Sequence, residues 1–517
     1  MMKTHHSRPP GFNDTARRVI ESLTPGQAGA AFARITPAQC GALHAASLEI
    51  LERTGVRLFE PEAVELARRA GAPVSEGNRV RFPPRLVERA LESAPRRVVL
   101  HDRQGNPVMP LEGARTYFGP GSDCLNIVDH RTGERRRARL EDVREAARLC
   151  DALGNLDFAM SMFLPSDTRP DLADRLQFEA MLHNTSKPIV FVTYDMAGCA
   201  DVIEMAEAVA GGAGALSERP FAACYINVTT GLLHNADALQ KLLYLAGKNL
   251  PALYIPVVSG GTSGPMTMAG GLALSNAGAL AGLALSQWKR EGAPCVIPGF
   301  GGDALDMRTM VDPYCAPEPR GMAEALGHFY DLPIFSLGGS SESKLVDAQA
   351  GIEAALSMLI GAMAGGHIFH DIGYLESGLS GSLAQLAICN EIAGWIASFL
   401  QPVEISAETL ALDLIDQAGP DGQFLKLPHT RRHMRERWYP TIFDRDNYPG
   451  WLARGGKTLT ERAADEVGRL LASHRPIPLD EGAARAVAGV VARAAARAPS
   501  PAARAAASDS MRGEARE

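Results

Sequence analysis

The chain has 517 residues, enough for about three domains of average size or for one barrel with additions. Charged residues make up 21% and hydrophobic residues 46%, which is typical of globular proteins and excludes disordered, collagen-like and coiled-coil chains. Lys and Arg number 52 against 59 Asp and Glu, so the formal net charge is −7. A mildly acidic chain has no general attraction for polyanions, and we expect no binding to nucleic acid.

The cysteines and the amino terminus predict a cytoplasmic protein. The eight cysteines show no CxxC or other paired spacing, which is typical of reduced thiols. The first residues have no apolar run and no cleavage site, so no secretory signal is predicted. Residues 266–287 are the one apparent membrane span, but this segment is rich in Ala and Gly and contains Ser275 and Asn276. We therefore expect a buried helix there and no membrane attachment.

The two ends of the chain differ from its middle. Residues 1–30 are predicted to be a flexible leader, and residues 31–114 a small helical cap in which LHAASLEILERTG has apolar residues at helical spacing before Gly55. Residues 402–480 predict a helical C-terminal region. Residues 481–517 are rich in Ala and Arg and predict a low-complexity tail.

Between residues 115 and 401, eight short apolar runs alternate with eight helical patterns. The runs are TYFGP, LDFAMSMF, PIVFVTYD, AACYINVTT, LYIPVVSGG, CVIPGFGG, PIFSLGG and HIFHDIG. This alternation predicts an α/β fold, a (β/α)8 TIM barrel with an N-terminal helical cap and a C-terminal helical extension. An open doubly wound sheet is the alternative. A hairpin with its turn at residues 130–133 is predicted after the first run.

Glycine pairs follow three of these runs, at the barrel mouth where the carboxyl ends of the strands meet. They would admit a phosphate or a bulky planar partner, or would simply make tight turns. No GxGxxG in a strand-to-helix context and no P-loop is present. The pairs are Gly260 and Gly261, Gly301 and Gly302, and Gly338 and Gly339.

Two further clusters allow competing chemistries. Lys344 follows Glu342 in GGSSESKLVDAQAG and would form a Schiff base in a barrel aldolase, but its distance from the strand favours a salt-bridged loop lysine. His367, His370 and Asp371 in HIFHDIGYLESGLSG are possible metal ligands, although their spacing is not that of a known site. We predict no metal site.

Aromatic residues are concentrated near the predicted strand ends, although they make up only 6% of the chain. One interpretation is that each belongs to the core. The other is a cage for a quaternary ammonium group, because ring faces attract a cation that cannot donate hydrogen bonds. The residues are Tyr117, Phe118, Phe163, Tyr194, Tyr225, Phe300 and Tyr374.

Five motifs occur in a characteristic order between about residues 35 and 477. They are YINVTTGLLHNADAL, VSGGTSGPMTMAGGLALSNAG, GGSSESKLVDAQAG, HDIGYLESGLSGSL and HTRRHMRERWYPTIFDR. Together they resemble the trimethylamine methyltransferase family. The resemblance implies a (β/α)8 barrel that moves a methyl group from a methylated amine to the Co(I) corrinoid of a small partner protein. Archaeal members that use trimethylamine carry pyrrolysine in a mouth loop, in the region matched here by residues 338–344.

The present sequence lacks pyrrolysine, which indicates a quaternary amine as substrate. A tertiary amine must be activated before transfer because its leaving group would be a strongly basic amide anion, whereas a quaternary ammonium releases a neutral amine. Pyrrolysine-free relatives include glycine betaine demethylases, so glycine betaine is the expected substrate. The alternatives are a trimethylamine methyltransferase and a protein that binds or senses quaternary amines without transfer. We expect the corrinoid on a corrinoid-binding partner and no cofactor on this chain.

The resemblance and the loop positions also suggest site residues. His370, Glu342 and Asp371 are expected to be catalytic, and the six paired glycines to face the corrinoid. Arg308, His370 and Asn227 are the expected partners of a substrate carboxylate. We further expect a homo-oligomer, because helices such as 346–364 present Ala and Gly outward. The expected substrate-binding residues are Tyr117, Phe118, Tyr194, Asn227, Phe300, Arg308 and Tyr374.

Overall fold

The computed structural model describes residues 32–497. The expectations for the leader, residues 1–30, and for the tail beyond residue 497 lie outside the described residues. Of the described residues, 394–441 form one compact unit, and 32–393 together with 442–497 form another.

The larger unit contains a closed barrel of parallel strands that follow one another in chain order. Seven strands form one continuous sheet, in which the first strand in chain order, Tyr117–Pro120, pairs with the last, Ile368–Ile372. The segment 157–160 closes the circle, because the Asp157 N–H donates to the Phe118 carbonyl at 2.7 Å and the Ala159 N–H donates to the Pro188 carbonyl at 2.9 Å. This confirms the (β/α)8 barrel. The seven strands are Tyr117–Pro120, Ile189–Phe191, Ala222–Val228, Ala252–Pro256, Cys295–Pro298, Ile334–Leu337 and Ile368–Ile372.

A long helix follows every barrel strand, as the alternating pattern predicts. Capping residues mark the ends of these helices. The Asp195 side chain accepts from the Gly198 N–H at 2.8 Å, and Gly365 ends a helix at a φ of 76°. The helices are Leu140–Ala152, Ala173–Asn184, Met196–Ala210, Ala236–Lys248, Met268–Lys289, Met322–Tyr330, Ala348–Ala364 and Leu383–Leu400, with Ala213–Glu218 as a short addition.

The amino-terminal region contains strands as well as the predicted helices. Its strands Val98–His101 and Pro107–Leu111 form an antiparallel hairpin whose Leu100 and Met109 are buried inside the barrel with Phe158. The hairpin closes the end of the barrel opposite the mouth. Its two strand sequences, VVLH and PVMPL, flank the turn DRQGN, and this pattern predicts a hairpin that the interpretation as a helical cap did not include. The other elements are Pro37–Glu49, the π-helical turn Ile50–Thr54, Val56–Leu58, Pro61–Ala70, Val74–Ser75, Arg79–Val80 and Pro84–Ser93, with Leu233–His234 paired to Val56–Leu58.

The carboxyl-terminal part is helical, and the helix Glu481–Ala496 lies where a low-complexity tail was expected. This helix packs against Met196–Ala210 through Val487 and Val490, which are buried. Within the Ala-rich composition, apolar residues recur at helical spacing and form one buried face. Residues 481–496 are therefore an amphipathic helix and not part of a low-complexity tail. The other helices are Ala407–Leu410, Leu412–Ala418, Pro428–His433, Tyr448–Ala453 and Leu459–Ser473, and short 3₁₀ turns occur at Pro170–Leu172, Glu376–Gly378 and Met434–Glu436.

A small second sheet lies beside the eighth barrel strand. It contains the predicted hairpin, since Asn126–Val128 pairs antiparallel with Arg135–Arg137 and the Gly133 N–H donates to the Asp129 carbonyl at 2.7 Å. The strands Tyr374–Leu375 and Ser380–Gly381 complete it. The hairpin is thus confirmed.

Two described helices are long and apolar enough to cross a membrane. They are Met268–Lys289 and Leu383–Leu400, and 78% and 72% of their most apolar windows are buried within the protein. Such burial is typical of core helices, as expected for the first of them. The outward face of Ala348–Ala364 carries Ile352 and Leu356, which are more than half exposed; the homo-oligomer stays a prediction.

The barrel core depends on close contact between Met268–Lys289 and the strand Ala252–Pro256. A Cβ atom at Gly282 would lie 2.1 Å from Cδ1 of the buried Tyr254. We expect Gly282→Ala to lower the free energy of unfolding by about 1–3 kcal/mol, because overpacking outweighs the gain in helix propensity. Gly351→Ala is the matched control, since nothing lies within 4 Å of its Cβ. Thermal unfolding should show a lower midpoint for the first variant only; equal midpoints would contradict the close contact.

Candidate active site

A cavity of about 220 Å³ lies at the carboxyl ends of the fourth to eighth barrel strands. This is the mouth at which barrel enzymes place their chemistry. A larger cavity of about 430 Å³ lies between the cap helices and the end of the barrel helix Met268–Lys289, around Trp288. The mouth cavity is lined by Tyr225, Asn227, Pro256, Val257, Val258, Ser275, Phe300, Gly301, Asp303, Asp312, Pro313, Tyr314, Leu337, His370 and Asp371.

Aromatic rings form one wall of this cavity. His370 stacks on Phe335 with ring centroids 4.0 Å apart, and the edge of Tyr225 meets His370 at 5.5 Å. Phe300 lies 5.9 Å from His370 on another side. The stacked rings hold one another in place, and they present faces that suit a cation.

The imidazole of His370 is neutral in this environment. Its Nδ1 lies 2.7 Å from the Ser336 carbonyl and donates to it, which leaves Nε2 as an acceptor, 3.6 Å from Oδ1 of Asp371. Burial lowers the pKa of His370 to about 4. His370 therefore contributes a flat, uncharged wall and an acceptor nitrogen near neutral pH.

Asp371 is a buried carboxyl group held by an unusual backbone. Its φ is 71°, which is rare for residues other than Gly and Asn. A Cβ atom at Gly121 would lie 2.1 Å from Oδ1 of Asp371, so this glycine makes room for the carboxyl. Burial raises the pKa of Asp371 to about 8, and Arg320 only partly offsets the increase. The group is largely uncharged at pH 7 unless a cation comes close.

A loop after the sixth strand brings Tyr314 into the cavity, and Arg320 anchors this loop. The guanidinium of Arg320 donates to the carbonyls of Ala316 at 3.3 Å, Leu337 at 2.6 Å and Tyr314. All three nitrogens are thereby directed at backbone groups. Arg320 thus acts on the site through the loop.

Glu342, one of the expected catalytic residues, supports the same loop. Its Oε1 accepts from the Cys315 N–H at 3.2 Å, and its Oε2 accepts from the Ser377 hydroxyl. Glu342 does not line the cavity. These contacts support the loop next to Tyr314, and the catalytic role of Glu342 stays a prediction.

Of the expected site residues, Asn227, Phe300, Gly301, His370 and Asp371 come together in the cavity. Tyr374 lies beside them: its hydroxyl donates to the Ser122 carbonyl, and a Cβ atom at Gly121 would also lie 2.4 Å from the Tyr374 hydroxyl.

Other expected residues lie elsewhere. Tyr117 bonds to the Pro110 carbonyl of the hairpin that closes the far end of the barrel. Phe118, the next residue of the strand, packs on Phe369, with ring centroids 5.8 Å apart. Tyr194 is outside the cavity lining, and its backbone N–H donates to Oδ2 of Asp174 at 3.2 Å.

The two expected loop cations are exposed. Arg308 is 88% exposed and forms an ion pair with Asp306 at 2.8 Å. Lys344 is also exposed and donates to the Glu342 carbonyl at 2.8 Å. Neither lines the cavity, and in the described part of the chain no Lys or Arg does. Arg308 thus lies away from the cavity, and its pairing with a substrate carboxylate stays a prediction without support from this geometry.

The glycine pairs serve contacts within the protein. Only Gly261 of the six is exposed. A Cβ atom at Gly302 would lie 2.8 Å from the Met268 carbonyl, and one at Gly339 would lie 2.4 Å from Ile372. The Gly260 N–H donates to the Asp303 carbonyl at 2.8 Å. The glycines let backbone segments of neighbouring loops approach one another, so a corrinoid-facing role is proposed only for Gly261.

Tyr314, Asp312 and Ser275 line the cavity but were not predicted from the sequence as site residues. Tyr314 and Asp312 lie far along the loop between the sixth strand and Met322–Tyr330, and no periodicity marks a side chain in such a loop. The length of that loop was the one available signal, because long loops at a barrel mouth carry function. Tyr225 was noted only as one of several aromatics.

Comparison with known proteins identifies the family. Residues 13–499 match the family model described as trimethylamine methyltransferase. The chain belongs to the trimethylamine methyltransferase family. It is therefore a methyltransferase that takes methyl groups from methylated amines.

Two relatives of this family member come from Desulfitobacterium hafniense. Trimethylamine methyltransferase MttB is 32% identical over 92% of this chain and 96% of its own length. Glycine betaine methyltransferase is 31% identical over 86% of this chain and 94% of its own length. Among solved structures, the Methanosarcina barkeri monomethylamine methyltransferase MtmB matches with a TM-score of 0.47 and 10% identity, covering 93% of this chain and 91% of its own.

Proposed function

We propose that this protein transfers a methyl group from a quaternary ammonium compound to the Co(I) corrinoid of a partner protein. The observation that carries the proposal is Asp371, a buried carboxyl that faces a cavity walled by Tyr225, Phe300 and His370. Ring faces and one carboxylate bind a cation that has no N–H group to donate. The absence of pyrrolysine from the sequence agrees with a substrate that needs no activation.

The chemistry needs little acid or base from the protein. The Co(I) of the partner supplies the nucleophile; the C–N bond breaks, its electron pair stays on nitrogen, and a neutral tertiary amine leaves. The rings orient the ammonium and exclude water. Asp371 is a carboxylate while the cation is bound and regains a proton once the product is neutral. His370 cannot compete for that proton near pH 7, because its pKa is lowered to about 4.

The charge of the cavity bears on the choice of substrate. Asp303, Asp312 and Asp371 line it, and the nearest buried cation, Arg320, is bonded to backbone carbonyls. A betaine carboxylate would meet only neutral donors such as Asn227. We therefore propose that quaternary amines with uncharged substituents, such as tetramethylammonium or choline, react better than glycine betaine. Glycine betaine is the second candidate, favoured by the name of one relative.

The test is methyl transfer to chemically reduced cobalamin, followed by the visible spectrum of methyl-Co(III). The purified enzyme receives tetramethylammonium, choline, glycine betaine or trimethylamine in separate reactions, and calorimetry measures binding of each. Reaction with the uncharged quaternary amines is the expected result. Faster reaction with glycine betaine would overturn the charge argument alone. Reaction with trimethylamine only, or no binding of any quaternary amine, would overturn the proposed function, and binding without transfer in the presence of the enzyme's own corrinoid partner would indicate a sensor.

A further inference from the structure

Two histidines and a carboxylate converge in the unit formed by residues 394–441, and none of the three lines the mouth cavity. His429 and His433 are four positions apart on and at the end of Pro428–His433, so their rings share one side of the helix. Their centroids are 4.3 Å apart. Glu408 reaches them from the helix Ala407–Leu410. One ligand atom from each of the three side chains lies within 4.8 Å of the other two.

The distances fit a transition metal ion. His433 Nε2 lies 3.2 Å from Glu408 Oε1, about the separation of two ligands on a tetrahedral ion with bonds of roughly 2.0–2.1 Å. His433 Nδ1 lies 2.7 Å from Glu436 Oε1. A carboxylate on the far nitrogen of a histidine is the usual arrangement around metal-bound imidazole, because it fixes the ring and its tautomer.

The same cluster also has an ordinary ion-pair interpretation. Arg432 Nη2 lies 2.6 Å from Glu408 Oε1, so the carboxylate already has a cationic partner. This is the same oxygen that lies nearest His433, so a metal bound there requires the arginine to move to Oε2, the second oxygen of the carboxylate. An ion pair between Arg432 and Glu408 does not account for the two adjacent histidines on one side of the helix or for the contact of Glu436 with His433.

We propose that Glu408, His429 and His433 form a binding site for Zn²⁺ or a similar divalent transition ion, with Glu436 orienting His433. Two imidazoles and one carboxylate suit such an ion and leave a fourth position for water. The ion would connect Ala407–Leu410 to Pro428–His433 and stabilise this unit. The site is independent of the proposed methyl transfer.

The test uses the full-length protein after removal of metal by a chelator. Zn²⁺ is titrated in competition with a chromophoric zinc indicator, and Co²⁺ is added separately to record its absorption spectrum. We expect one equivalent to bind and a four-coordinate Co²⁺ spectrum without a sulfur charge-transfer band. Glu436→Gln should weaken binding about 10–100-fold. The double variant His429→Gln/His433→Gln should lose the equivalent.

His183→Gln is the matched control, because His183 is exposed on Ala173–Asn184 and belongs to no metal-competent cluster of the described residues. It should bind Zn²⁺ as the unmodified chain does, and far-ultraviolet circular dichroism should show that all variants fold. Unchanged zinc affinity in the double variant would overturn the proposal, as would a sulfur band or the absence of tight binding to the unmodified protein. Tight binding would also raise the midpoint of thermal unfolding in the unmodified chain but not in the double variant.

Discussion

Asp371→Asn is expected to weaken the binding of tetramethylammonium about tenfold to a hundredfold at pH 9. The variant removes the carboxylate that faces the cavity, and a charge pair at a few ångströms is worth a few kcal/mol at a partly buried site. Asparagine has nearly the same shape and tolerates the φ of 71° at this position. Calorimetric titration of both proteins measures the difference, and kcat/KM for methyl transfer should fall with it.

The pH dependence separates a charge effect from a loss of shape. The pKa of Asp371 is raised to about 8 in the empty protein, and a bound cation lowers it, so binding releases a proton. Affinity for tetramethylammonium, which does not titrate, should therefore rise with pH up to about 8 and then level off. The curve of Asp371→Asn should be flat over this range. A sloping curve in the variant would contradict the assignment.

Two controls accompany this experiment. Asp306→Asn removes the same charge from an exposed ion pair with Arg308 at 2.8 Å and should leave the affinity unchanged. Burial of an uncompensated carboxyl destabilises the folded state as pH rises from the unfolded pKa of about 4 towards 8. Asp371→Asn should consequently unfold at the same or a higher temperature than the unmodified protein at pH 8, which excludes misfolding as the cause of weak binding.

The fold was readable from the sequence because it rests on short-range patterns. Each barrel strand is an apolar run that ends in Gly, Ser, Thr or Asp, and each is followed by a helix of ordinary length. The second strand position, residues 157–160, is irregular. The Asp157 carboxylate accepts a hydrogen bond from the Phe118 N–H at 2.8 Å, and Met162, just after the segment, has a φ of 59°. Neither feature is visible as a pattern, because both depend on the neighbouring strand.

The site was readable only in part. His370 and Asp371 follow directly from their place at the end of the eighth strand, and Asn227 and Phe300 from theirs. The place of a residue near the end of a strand does not, however, decide the direction in which its side chain points. Tyr117 starts the first strand and meets the closing hairpin, while Phe118 contacts Phe369. A shift of one residue reverses the face of a strand side chain, so strand-end aromatics needed the structure to sort them.

Loop residues escaped prediction for another reason. Tyr314 enters the cavity because two side chains fix its loop: Arg320, which lies later in the same loop, and Glu342, which follows the seventh strand. These contacts join residues that lie far apart in the chain or in irregular structure. Arg308, by contrast, was expected in the site from its loop position, yet its loop directs it to solvent. The charge of the cavity therefore cannot be predicted from the sequence alone, because it depends on which charged side chains point into the barrel mouth.

The anchoring of this loop predicts a large effect for Arg320→Met. The substitution leaves the carbonyls of Ala316, Leu337 and Tyr314 without their donor. An unsatisfied buried carbonyl costs about 1–3 kcal/mol, and the Leu337 carbonyl is buried while the other two are half-buried. We therefore expect the free energy of unfolding to fall by about 2–5 kcal/mol. Denaturant unfolding followed by fluorescence measures the loss. Arg308→Met, in the same loop but exposed, should change the stability by less than about 0.5 kcal/mol.

Binding by the same variant separates the effect of the Arg320 charge on Asp371 from its anchoring of the loop. Its positive charge lowers the pKa of Asp371, so its removal should move the rise in tetramethylammonium affinity to higher pH. Arg320→Lys keeps the charge but cannot reach three carbonyls at once. It should therefore retain the pH profile and lose most of the free energy of unfolding that the Arg320 contacts contribute. If Arg320→Lys were as stable as the unmodified protein, the carbonyl contacts would not be what holds Tyr314 in the cavity, and charge alone would account for the role of Arg320.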